Sequence, residues 1–150
     1  MQINGPINED QARLAGALGD DYQVISTIGS GGCGTVYKVL LKSLDRIVAV
    51  KAIRGETDAS ALRRLHSEAQ ALADLKHTNI VEVLHFGVHD DCGALVMEFV
   101  DGRNLDSEIE KNGPLPAQRC RPLMAQCASA LEAAHARQII HRDLKPANII

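Results

Sequence analysis

The chain has 150 residues, 45% of them apolar and 23% charged, with a formal net charge of −3. That is enough for one modest domain with a real core, and mixed charge without a basic stripe argues against disorder and against a nucleic-acid footprint. No apolar run reaches the roughly 18 residues needed to cross a bilayer, the first residues lack the basic and apolar blocks of a signal peptide, and the four cysteines at 33, 92, 120 and 127 are too scattered for a disulfide framework or a zinc site, which fits a reducing, cytoplasmic setting.

Residues 1–21 are polar and read as a leader whose function the sequence does not give; Asn8 can cap a short helix over Glu9–Leu18. Residues 22–28 are strand-like. Gly29, Gly31, Gly32 and Gly34 follow, then the β-branched and aromatic stretch 35–41. Glycines let a backbone turn tightly and approach a ligand, with N–H groups facing phosphate oxygens. The G-x-G-x-x-G spacing alone also suits a dinucleotide fold or an ordinary hairpin. A dinucleotide loop must open a helix, however, and 35–41 is strand. Strand, glycine loop and strand make a flap over phosphates.

Residues 46–53 are apolar on both faces, so this is a strand with little water on either side. Lys51 then points inward and needs an anion. Residues 58–75 carry helical period through Leu62, Leu65, Ala69, Leu72 and Leu75, with Asp58 as a cap and Glu68 on the apolar stripe. A carboxylate among leucines makes Glu68 the obvious partner for Lys51. A turn at 77–79 leads to strands at 80–88 and 94–100, joined through Asp90-Asp91-Cys92-Gly93. A short helix covers 104–111 and a longer one 116–138. The stripe Cys120, Met124, Cys127, Leu131 and Ala134 on the longer helix predicts core packing and inert cysteines.

The last ten residues, His141-Arg142-Asp143-Leu144-Lys145-Pro146-Ala147-Asn148-Ile149-Ile150, are a polar loop pinned by apolar pairs. Asp143 can accept a hydroxyl proton, Lys145 can neutralise phosphate, and Asn148 can ligate a hard cation through its oxygen.

This loop resembles the H-R-D-L-x-x-x-N catalytic loop of eukaryotic-type protein kinases. Lys145-Pro146 resembles the serine/threonine branch. Gly29, Gly31, Gly34 and Val36 are similar to the kinase flap, residues 48–51 to its V-A-I-K strand, and residues 95–102 to its gatekeeper and hinge. The resemblance is to a bacterial, eukaryotic-like serine/threonine protein kinase and covers about residues 22–150. It implies an α+β protein-kinase-like fold: a five-stranded antiparallel small lobe with one main helix over about 22–100, then the first helices and catalytic loop of a mostly helical large lobe over 101–150.

The resemblance further implies ATP under a flap of Ile28, Gly29, Ser30, Gly31, Gly32, Cys33, Gly34, Thr35 and Val36. Val36, Ala49 and Ile150 would sandwich adenine, Met97 would line the back of its pocket, and the backbones of Glu98 and Val100 would bond its edge. Asn104 falls near the expected ribose contact. Lys51, held by Glu68, would contact the α- and β-phosphates. Asp143 would orient the hydroxyl of a protein serine or threonine, Lys145 would contact the γ-phosphate, and Asn148 would bind Mg2+. Cys33, at the flap tip, would be the reactive thiol.

The Asp-Phe-Gly segment, the activation loop and the Ala-Pro-Glu segment of such kinases are absent from the 150 residues. The expectation is a fragment truncated after the catalytic loop and inactive alone, with the complete protein phosphorylating serine or threonine on proteins. The alternative is a non-catalytic nucleotide-binding or scaffolding module, which intact Lys51, Asp143 and Asn148 argue against. A small-molecule phosphotransferase of related fold would resemble His-Gly-Asp at the loop, where this chain has His141-Arg142-Asp143.

Overall fold

The β-branched residues between Arg46 and Arg54 make the strand on which the sheet is centred. The structure is a computed structural model and describes residues 9–31, 34–54, 66–67, 69–89 and 92–150. The chain divides into two compact units, Met1–Asp74 with Glu82–Phe99, and Leu75–Val81 with Val100–Ile150.

In the first unit a helix, α1 (Glu9–Leu18), precedes five strands: β1 (Tyr22–Gly31), β2 (Gly34–Leu41), β3 (Arg46–Arg54), β4 (Val83–His89) and β5 (Cys92–Glu98). They form one antiparallel sheet in the order β1-β2-β3-β5-β4. This is the expected five-stranded small-lobe sheet. β1 runs three residues further than the sequence pattern predicts. Gly29 pairs with Val36, Ser30 with Thr35 and Gly31 with Gly34, because a glycine without a side chain still has an N–H and a C=O to pair. The flap is thus mostly ladder. β4 starts at Val83 rather than Ile80, since Ile80 N–H is taken by the His77 carbonyl in a turn (3.0 Å).

Side chains alternate across a sheet, and directly paired residues share a face. Tyr37 pairs with Val50, Val50 with Val96, Val39 with Val48, and Ala52 with Ala94. All of these are buried, and together with Leu14 of α1 they form the core. Each large apolar side chain there contributes about 1.5–3 kcal/mol of burial. Helix α1 packs across β1, β4 and β5, with Ala17 and Leu18 against the same cluster. Its close approach depends on Gly87 in β4: a Cβ there would lie 2.7 Å from the Ala17 carbonyl oxygen. Of the helix expected over 58–75, residues 66–67 and 69–73 are described and helical, and Ala69 is buried.

In the second unit, α2 (Leu105–Asn112) is capped by Asn104, whose Oδ1 accepts from Ser107 N–H at 2.8 Å. α3 (Ala117–His135) follows, then the loop with a 3-10 turn at Pro146–Asn148. The predicted α3 stripe is buried only at its C-terminal end. Ala134 is buried, Cys120, Cys127 and Leu131 are half-buried, and Met124 is 53% exposed. Helical period identifies a face but not what covers it. His77 accepts from Asn79 N–H through Nδ1 (3.1 Å) and bonds Ser129 Oγ through Nε2 (3.2 Å). It is a structural clasp between this turn and α3.

Candidate active site

The sheet brings four predicted site residues onto the face opposite Leu14. Lys51 pairs with Val36 on β2 and Leu95 on β5; the next row holds Lys38, Ala49 and Met97. By alternation, Val36, Ala49, Lys51 and Met97 share one surface with Lys38 and Leu95. Ala49 is buried and Lys51 half-buried. One cation therefore stands between apolar neighbours, a setting for an anionic group attached to a flat apolar one. Glu68, the predicted partner of Lys51, lies outside the described residues, as do Gly32 and Cys33 at the flap tip.

The flap glycines divide into two kinds. Gly34 has φ +117°, and a Cβ on it would lie 2.1 Å from the Ala52 carbonyl oxygen, so the backbone itself requires glycine there. Gly29 has nothing within 4 Å of such a Cβ, so its open surface is free to lie against a ligand. Register shifts set off Ile25 and Ile28 in β1. This bulged geometry bends a strand and re-aims its side chains, and Ile28 is 48% exposed.

At the end of β5, Glu98 N–H donates to the Glu82 carbonyl (2.9 Å). Glu98 Oε1 accepts from Glu82 N–H (2.9 Å). Next to it, Phe99 carries the Lys38 ammonium 4.5 Å above its ring, a contact worth about 0.5–1 kcal/mol when exposed. Lys38 is a residue that the sequence reading missed; period-2 alternation from Val36 is the signal that could have found it, and no local signal points to its aromatic partner.

In the second unit the loop after α3 gathers the polar residues. Asp143 N–H donates to the His141 carbonyl (2.8 Å) and His141 Nδ1 (3.3 Å). This closes a tight turn around Arg142 at φ +61°, a conformation non-glycine residues seldom adopt. Strain of this kind is found where a loop is held for a purpose. Lys145 Nζ lies 2.9 Å from Asp143 Oδ2. Asn148 Nδ2 donates to the Asp143 carbonyl (2.8 Å) and to Oδ2 (3.2 Å). The bonded Lys145 ammonium above all, then the Asn148 amide and the charges of Lys145 and His141, hold the Asp143 carboxyl below its ordinary value, against partial desolvation. Asp143 is thus an anion at neutral pH, aimed by its neighbours. Because Asn148 spends its nitrogen on Asp143, its oxygen is the atom left for a cation. Ile149 is anchored to α2 through its carbonyl and Leu105 N–H (2.7 Å), and Ile150 lies over Gly102. Val100 and Ile150 are exposed, while the Asn104 side chain, predicted near a ribose, is committed to its cap.

The protein kinase domain family matches residues 22–150. The chain belongs to that family. Kinase relatives include the serine/threonine-protein kinase PrkC of Bacillus subtilis, 42% identical over 86% of this chain and 20% of that protein. Another is the serine/threonine-protein kinase pkn2 of Myxococcus xanthus, 41% identical over 85% of this chain and 16% of that protein. The chain therefore spans about a fifth of the length of such curated relatives. A crystal structure of Rad53 1-466 in complex with AMP-PNP superimposes with a TM-score of 0.78 at 30% identity, over 87% of this chain and 34% of that one. The kinase small-lobe fold is thus shared as well as the sequence. No helix among the described residues is long and apolar enough to cross a membrane.

Proposed function

We propose that this chain supplies the nucleotide site and catalytic loop of a serine/threonine protein kinase, which transfers the γ-phosphate of ATP to protein hydroxyls in a reducing, cytoplasmic setting. The observation that carries the proposal is the Asp143–Lys145–Asn148 cluster, in which one carboxylate is held ionised and aimed by a cation and an amide. The sheet face supports it. Val36, Ala49 and Met97 offer an apolar bed for adenine, Lys51 a cation for the α- and β-phosphates, and open Gly29 a backbone that phosphates can approach. The names of the relatives, and the ATP analogue bound by Rad53, agree with this reading.

In the reaction, Asp143 accepts the hydrogen bond of the substrate hydroxyl and orients its oxygen for attack. Lys145 lies on its Oδ2 and is placed to follow the charge onto the γ-phosphate. Positioning and charge stabilisation do most of the work in phosphoryl transfer, with little covalent chemistry for the protein. The donor set fits Mg2+ in part. Asn148 offers one hard oxygen, among the described residues no cluster of three acidic, histidine or cysteine side chains assembles, and phosphate and water oxygens would suit the same cation. When bound, such a cation neutralises phosphate charge.

In the full-length protein, Lys51→Met and Asp143→Asn should each lower phosphate transfer to a protein substrate by about two to three orders of magnitude, as expected for loss of one charge-stabilising group, with unchanged circular dichroism. Near-normal turnover in a folded Asp143→Asn protein would overturn the assignment.

A further inference from the structure

The β3–β5 register ends at Val48 and Glu98, and Phe99 follows outside the strand as the last residue of the first unit. What reaches it there is Lys38, whose Nζ lies 4.5 Å from the centre of the Phe99 ring. The two do not stand on neighbouring strands. Lys38 lies on β2 opposite Ala49, and Ala49 lies on β3 opposite Met97 of β5. Adjacent strands are about 4.7–4.9 Å apart, so the lysine bridges two strand spacings and its stem crosses β3 on the site face. Lys38 and Phe99 are both half-buried, and among the described residues no carboxylate pairs with this ammonium. The ring face is thus the partner of its charge.

We propose that Lys38 is a positioning residue of the nucleotide site: through the Phe99 ring it fixes the segment by which the chain leaves β5, and its stem closes that end of the bed on which the purine lies. This rests on the nucleotide site proposed above. A segment beyond the last ladder pair opens locally unless side chains hold it. Phe99 is two residues from Met97 on the same strand path, so a ring that swings away changes the wall beside Met97 that the base meets. A cation holds the ring by its face, through the ring quadrupole, whereas an apolar stem of equal length does not select face over edge. Charge rather than bulk is therefore what the site requires at position 38, and arginine, which also stacks on aromatic faces, can replace lysine. An ammonium engaged on a ring acts on the base end of the ligand, while the phosphates are left to Lys51.

The test uses the full-length protein and two ligands, ATP and adenosine, which carries base and ribose without phosphate. Lys38→Met keeps the stem and removes the charge. It should raise KM for ATP and Kd for adenosine by the same factor, about two- to fivefold, the value of one such contact near the surface, with kcat unchanged. Lys38→Arg should bind both ligands like wild type. Phe99→Leu should give the same loss as Lys38→Met, and the double variant should lose no more than either single one, because each removes the same contact. If Phe99→Leu does not fold, Phe99→Met removes the ring in its place. A rise in KM for ATP with adenosine unaffected would mean that Lys38 meets the phosphates directly, and overturns the inference. It is equally overturned by a folded Lys38→Met protein that binds both ligands like wild type, by failure of Lys38→Arg to restore binding, by losses that add in the double variant, or by a fall in kcat or melting temperature without a change in adenosine binding. All of these leave the kinase assignment standing. Wild type that neither turns over ATP nor binds adenosine overturns that assignment, and this inference with it.

Discussion

Val50 and Lys51 are neighbours on β3 and face opposite ways. Val50 is fully buried between Tyr37 and Val96, in a cluster that α1 closes with Leu14. Lys51 is half-buried between Val36 and Leu95, on the face that holds Ala49 and Met97. One face of the sheet is shut by the chain's own helix, and the other carries a cation among apolar side chains. A period of two separates fold from function by a single residue step.

Exchanging the chemistry across that step gives the largest expected effect. Val50→Lys places an ammonium among apolar side chains with no anion among the described neighbours. The cost exceeds about 4–5 kcal/mol, the exceptional end of single substitutions, and the unit should not fold. Lys51→Met, one residue on, should leave the melting temperature nearly unchanged while lowering turnover by about two to three orders of magnitude. A Val50→Lys protein that melts like wild type would show that the two faces are not as different as they look.

The closed face can also be opened from the helix side. Leu14 is fully buried and lies outside the stretch matched by the kinase family, which begins at residue 22. Leu14→Ala should destabilise the protein by about 2–5 kcal/mol, the range for a buried leucine, read as a shift in the denaturation midpoint. A loss under about 0.5 kcal/mol, typical of a surface position, would show that α1 merely rests on the sheet.

Much of this contrast is written in the sequence. Alternation over 46–53 places Val48, Val50 and Ala52 together and Lys51 apart, and β3 bears it out with bounds that differ by one residue. The helix over Glu9–Leu18 is legible too, while its expected cap, Asn8, lies outside the described residues. What that helix packs against is not, because Leu14 meets residues far along the chain and no local period encodes such a pairing. The bond from Glu82 to the Glu98 side chain is hidden for the same reason. The loop 141–150 is legible as a set of residue types, and its internal wiring is not: the sequence offers Asn148 as a cation ligand, while the structure spends its nitrogen on Asp143.

The flap sharpens the comparison further, since it borders the open face. Gly34→Ala adds a Cβ 2.1 Å from the Ala52 carbonyl at φ +117°, a clash with backbone in a conformation L residues avoid. It should lose about 1–3 kcal/mol of stability. Gly29→Ala meets open space and should change stability by no more than about 1 kcal/mol, the scale of the ordinary glycine–alanine difference, while weakening ATP binding. Calorimetry of both variants, with and without ATP, separates the two. Equal stability losses would refute the division of the glycines into backbone and ligand types.

The smallest expected effect concerns charge on the loop, where, unlike the closed face, the groups stand in water. Asp143 is exposed, and its carboxyl is held below the ordinary value of 3.8 chiefly by the bonded Lys145. A carboxyl lowered on folding contributes stability that is complete above its unfolded value and is lost as pH falls through the lower folded one. The window therefore lies at and below about pH 3.8. Between pH 5 and 8, at the pH scale where histidines titrate, Asp143 should stay ionised and impose no pH dependence of its own. Lys145→Met removes the largest cause of the shift, so the Asp143 carboxyl should titrate at higher pH than in wild type. The proposed function also gives Lys145 a role on the γ-phosphate, so turnover is a poor gauge, and a carbon-13 carboxyl titration by NMR reads the group directly. Asn148→Ala removes a weaker donor and should raise the titration less than Lys145→Met. If the order is reversed, the amide rather than the ammonium holds the carboxylate, and the electrostatic reading of this loop must be exchanged for a geometric one.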